Sequence, residues 1–111
     1  MSPHEVRRLV EDEIGDEWAV TNQHQIDLCH ALIPPRKITV IERIVENGKL
    51  RDRSIAVWLV LVERPETEDG YSIVMKEEEP MFGLACEGFP EDEHLVLCGW
   101  YGNFMTTFRC M

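Results

Sequence analysis

No stretch of this chain reaches the about 18 apolar residues that a membrane-crossing helix needs. The longest apolar run is IAVWLVLV, residues 55–62, which is of strand length and rich in β-branched side chains. The N-terminus, MSPHEVRRLVEDE, lacks the apolar centre of a secretory signal, so the expected location is cytoplasmic. The seven glycines are scattered, and none forms G-x-G-x-x-G or G-x-x-x-x-G-K-[ST], which excludes the common phosphate-cradling loops. H-E-x-x-H and C-x-x-C are absent, and Ser2, Ser54 and Ser72, the only serines, sit in no G-x-S-x-G elbow. These absences disfavour enzymes built on local motifs. They leave open a site assembled from distant residues.

Positive charge is also scarce. Eleven Lys and Arg face 21 Asp and Glu, for a formal net charge of −10. Such a chain repels phosphate backbones and anionic lipid surfaces, so neither nucleic acid nor membrane is an expected partner. Solubility, a basic protein partner or a cation all fit the charge. The four cysteines are Cys29, Cys86, Cys98 and Cys110. Without a secretory signal they are expected to be free thiols, behaving as small buried hydrophobes.

The residues present are well punctuated. In SPHEVRRLVEDEIG, Ser2 is an N-cap, Pro3 takes the first helical position and Glu5 completes an S-x-x-E capping box. Val6, Leu9, Val10 and Ile14 make one apolar stripe, and Gly15 stops the helix. A second helix is expected over residues 24–33, ending at Pro34–Pro35. It would place Cys29 in an apolar arc and His24, Asp27 and His30 on the opposite arc. The cysteine and the histidines therefore point apart. Two histidines and an aspartate at these spacings fall short of the four ligands of a structural zinc site, so no metal and no cofactor are expected.

From residue 36 the pattern becomes strand-like. RKITVIERIVE and RSIAVWLVLVER flank Asn47–Gly48, a strong hairpin signal. In the second of these, Val57, Leu59 and Leu61 would face one way and Trp58, Val60 and Val62 the other. Both faces are apolar, which predicts a central strand covered by helices on one side and by a partner subunit or a bent sheet on the other. YSIVMK, MFGLACE and HLVLCGWYG supply three more strands. In the tail NFMTTFRCM, Phe104, Thr106, Phe108 and Cys110 alternate as in a strand, while Phe104, Phe108 and Met111 fit a helix; Asn103 as an N-cap favours the short C-terminal helix. The expectation is a single α+β domain over residues 1–111. Two N-terminal helices pack on a five-stranded antiparallel meander, and a short helix ends the chain. In outline this arrangement resembles the cystatin-like and NTF2-like architectures. No motif residue accompanies the resemblance, and it implies nothing about function.

Candidate functional residues follow from charge and chemistry. In a meander, alternate loops share one end, so PETEDG and GFPEDE should adjoin. They would bring Glu66, Glu68, Asp69, Glu91, Asp92 and Glu93 to one acidic rim suited to a basic partner. His94, beside Glu93, is the one candidate general base. Within GWYG, one aromatic should enter the core and the other, Tyr101, is a candidate contact residue. Cys86 and Cys98 could meet on adjacent strands, but packing in the interior is the expected role of each.

The leading expectation is a small acidic non-enzymatic protein-binding module, inhibitor- or immunity-like. One alternative is a ligand-binding or enzymatic domain with a pocket between helix and sheet, using His94 or Tyr101. The other is a structural homo-oligomer, suggested by the two-faced apolar strand.

Overall fold

The computed structural model describes residues 1–111. Its elements run α1 (Pro3–Ile14), α2 (Leu28–Ala31), β1 (Leu32–Glu46), β2 (Lys49–Arg64), β3 (Asp69–Lys76), β4 (Met81–Cys86), β5 (Leu95–Gly102) and α3 (Phe104–Cys110). The class is α+β, with three helices and five strands. No helix is long and apolar enough to cross a membrane.

Helix α1 begins and ends as its residues dictate. Ser2 Oγ accepts from the Glu5 N–H at 3.2 Å while Glu5 Oε1 accepts from the Ser2 N–H at 3.1 Å. Gly15 closes the helix at φ 62°, a left-handed value that favours glycine. Val6, Val10 and Ile14 are buried against the sheet. At the other terminus, Asn103 Oδ1 accepts from the Thr106 N–H at 2.8 Å and starts α3. Glu13 Oε1 accepts from the Phe104 N–H at 2.9 Å and ties the start of α3 to α1. Phe104 packs edge-on to Phe82 of β4, with ring centroids 5.4 Å apart.

Four expectations need correction. The second N-terminal helix shrinks to one turn, Leu28–Ala31, after which the chain enters β1 and passes through Pro34–Pro35 as extended backbone. The cause lies just upstream. The side chain of buried Asn22 accepts from the N–H groups of His24 and Ile26 and donates to the Phe108 carbonyl, holding residues 22–26 as a loop. Gln25 in that loop has φ 60°, outside any helix. Cys29 is consequently exposed rather than in the core, and its thiol donates to the Trp18 carbonyl at 3.3 Å.

The sheet is also not an open meander. Each strand pairs antiparallel with the next, but β1 and β5 then pair in parallel at Val40–Leu95 and Ile41–Val96, closing a five-stranded barrel. Closure removes the sheet edges over that stretch and requires strong bending. The bend is visible in β2. Leu59 opposes Val74 and Leu61 opposes Ile73, so Val60 is an extra residue, a bulge. The bulge reverses the alternation beyond it. Trp58, Val60 and Leu61 join the helices in one core cluster, while Val57, Leu59 and Val62 fill the barrel interior. The expected faces of Leu61 and Val62 are therefore exchanged. Helices cover one face of β2 and the sheet's own curvature covers the other. Each fully buried Val, Leu or Phe in these clusters stabilises the fold by about 1.5–3 kcal/mol.

Beyond Ile41 and Ile55 the β1–β2 ladder continues alone as a projecting arm to the Asn47–Gly48 turn, where φ is 53° and 75°. Both central residues are left-handed, as a two-residue hairpin turn favours. Val45 and Leu50, directly opposite each other, are 73% and 68% exposed there.

Candidate binding site

The two acidic loops prove unlike each other. In the β2–β3 loop, every predicted acid has a cationic or ionisable partner. Glu66 Oε1 lies 2.6 Å from His30 Nε2, Arg36 donates to Glu68 at 2.5 Å, and Arg64 donates to Asp69 at 3.1 Å. A hydrogen bond from a backbone N–H, and then His30, hold the Glu66 carboxyl below its ordinary range. The Thr67 hydroxyl and then Arg64 do the same for Asp69. The negative charge of this loop is answered within the chain.

The β4–β5 loop, residues 87–94, keeps most of its charge free. Asp92 is its only paired acid. Its carboxylate accepts from Arg43 on β1 at 3.0 Å and from the Phe89 N–H at 2.8 Å, while the Asp92 N–H returns to the Phe89 carbonyl at 2.9 Å. Arg43, and next that backbone N–H, keep the Asp92 carboxyl below its usual range. Arg43 also donates two hydrogen bonds to Asp52 across the arm, at 2.8 and 3.0 Å. Its guanidinium carbon lies 5.4 Å from the centroid of the Phe89 ring. The ring is nevertheless 60% exposed. Around it, Glu87, Glu91 and Glu93 are exposed and make no ion pair. The loop thus presents an exposed aromatic ring in contact with Arg43, and carries three unpaired carboxylates within four residues of it.

The loops do approach one another. Glu68 and Glu93 line one cavity of about 410 Å³, together with Arg36, Thr39, Ser72 and His94. A second cavity of about 470 Å³ lies along the β4–β5 loop, lined by Glu87, Phe89, Asp92, Glu93 and His94. His94 is exposed and hydrogen-bonds neither Glu93 nor any other side chain. Tyr101 is 39% exposed, while its neighbour Trp100 packs on the barrel interior. Between helix and sheet there is a cavity of about 280 Å³ bordered by Leu9, Asp12, Phe82 and Asn103, which neither His94 nor Tyr101 reaches. His24, Asp27 and His30 do not converge. Asp27 caps the Cys29 N–H, His30 turns to Glu66, and no three His, Cys, Asp or Glu side chains come together in metal-binding geometry.

Sequence reasoning passed over Phe89 and Arg43. A large aromatic between Gly88 and Pro90 in an otherwise acidic loop was a visible signal for the first. Nothing local marks Arg43, which acts through contacts with residues nine and 49 positions away.

Fold and site together define a small acidic α+β protein whose five-stranded sheet closes into a barrel, with three helices packed against it. No family model matches the chain, and comparison with curated proteins and with solved structures finds no match.

Proposed function

We propose that this protein is a non-enzymatic binding module for a basic protein, with the β4–β5 loop as its contact surface. The observation that carries this reading is the exposed Phe89 ring, held by Arg43 and Asp92, in a loop that also carries the unpaired Glu87, Glu91 and Glu93. An ordered aromatic supplies apolar area at little entropic cost, and free carboxylates steer a cationic partner toward it. This is the manner of a small acidic inhibitor covering a basic surface. Affinity capture from the source cell, with the wild-type chain and Phe89→Ala in parallel, tests it. The expected result is one basic protein recovered in stoichiometric amount by the wild type, lost with Phe89→Ala and released by salt. Recovery of no protein, or recovery indifferent to both changes, overturns the reading.

The homo-oligomer reading retains one supporting observation, the exposed Val45–Leu50 pair on the arm. Sedimentation of the wild type and of Val45→Ser/Leu50→Ser decides it. A dimer lost in the variant supports it, and a monomer in both ends it.

A further inference from the structure

Cys86 and Cys98 stand apart from the other two cysteines. Cys86 ends β4, opposite Val96 of β5. Leu84 opposes Gly99 while Ala85 opposes Leu97, so Cys98 is the extra residue of a bulge in β5. The bulge turns its side chain outward, onto the face that carries Cys86. The two sulfurs lie 3.3 Å apart, and Cys98 is exposed. The sequence-based expectation that these thiols pack in the interior is therefore corrected: they are neighbours, Cys86 half-buried and Cys98 exposed. A disulfide needs its sulfurs at about 2.05 Å, so closing the pair takes little more than an ångström of movement. Bulged residues are poorly held by the ladder, which makes that movement cheap.

We infer that Cys86 and Cys98 form a dithiol site that reacts with small-molecule disulfides and closes reversibly into an intramolecular disulfide. Desolvation, and next the hydrogen bond with Cys86, push the Cys98 thiol well above its ordinary range, and in the exchange Cys86 attacks first. The Cys86 thiolate attacks one sulfur of the external disulfide R–S–S–R. A Cys86–S–S–R bond forms and one RS⁻ leaves. That leaving thiolate takes the Cys98 proton. The Cys98 sulfur then displaces the second RS⁻ from Cys86 and completes the protein disulfide, and the second RS⁻ is protonated by solvent. Two protein thiols are oxidised and one external disulfide is reduced to two thiols. The closed bond spans residues 87–97, which include the β4–β5 loop and the start of β5, but the inference stands on the thiol pair and does not rest on the basic-partner reading.

The test uses the folded full chain carrying Cys29→Ser and Cys110→Ser, since both of those thiols are exposed and would hold adducts of their own. Incubated with oxidised glutathione, this variant should lose both remaining thiols, lose two hydrogens in mass and retain no glutathione. Peptide mapping should then link Cys86 to Cys98, and dithiothreitol should restore both thiols. Adding Cys98→Ser to it should trap one glutathione on Cys86. Two thiols left unreacted, or stable glutathione on both cysteines of the parent variant, would overturn the inference. If the Cys98→Ser chain fails to fold, the parent variant alone still decides.

Discussion

The β2–β3 and β4–β5 loops are both short, acidic and proline-containing, and in the sequence they look interchangeable. In the folded protein the acids of one find side-chain partners and most acids of the other do not. His30, Arg36 and Arg64 answer Glu66, Glu68 and Asp69. Around the β4–β5 loop, a single arginine answers a single aspartate, and that pair serves to hold an exposed phenylalanine in place. Density of like charge in a sequence is thus a poor guide to where unpaired charge lies in the fold. What matters is which carboxylates remain unpaired once distant strands arrive.

The difference can be broken most forcefully at Phe89. Phe89→Ala should weaken partner binding by about 2 kcal/mol, roughly 30-fold in Kd, as for an interface anchor, while leaving the thermal midpoint nearly unchanged. Isothermal titration with the captured partner measures the first, and calorimetric scanning the second. The β2–β3 loop offers no counterpart to this change, because its tip, Glu66–Glu68, carries no aromatic residue.

Next in size is Arg43→Met, which keeps the aliphatic stem but removes the cation that joins Asp52 and Asp92. Hydrogen exchange should show the amides of residues 89–92 losing protection, with residues 66–69 unaffected. Equal loosening of both loops would mean that Arg43 braces the barrel as a whole.

Acid should act through the paired carboxylates. Asp52, Glu66, Asp69 and Asp92 are all held below their ordinary range. Each therefore ionises more readily in the folded chain than in the unfolded one. Its contribution is complete above the usual carboxylate value of about 4 and is lost as pH falls through the lower folded value. Asp92→Asn should accordingly be less stable than the wild type at neutral pH, and the two denaturation midpoints should converge as the pH falls below the ordinary carboxylate range. A gap that stays constant would assign the effect of Asp92 to geometry and not to its charge.

The smallest effect concerns the unpaired acids. Glu91→Gln with Glu93→Gln should raise the thermal midpoint by about 1–2 °C by relieving repulsion. The gain should vanish in 1 M salt, where the screening length is about 3 Å. Glu68→Gln should shift the midpoint the other way, because it breaks the contact with Arg36. The same sign for both would erase the distinction between the loops.

Much of the architecture follows from local chemistry. The capping box at Ser2 and Glu5, the asparagine cap of α3, the Asn47–Gly48 turn and the five apolar runs each involve residues close together in the chain, so their elements can be read directly. The two-faced character of residues 57–62 likewise announced a strand covered on both sides. What covers it was decided by tertiary structure. A bulge at Val60 and two parallel pairs between β1 and β5 close the sheet on itself, and neither leaves a mark in periodicity. Residues 24–33 carried a helical pattern, but buried Asn22 organised most of the approach as a loop through bonds to its neighbours and to Phe108. Composition alone determined that the protein is acidic and that two of its loops concentrate the acids. Which acids stay free, that Phe89 stands on Arg43, and that Cys98 meets Cys86 depend on register and curvature. These are set by the packing of residues far apart in the chain, and no short window of sequence contains them.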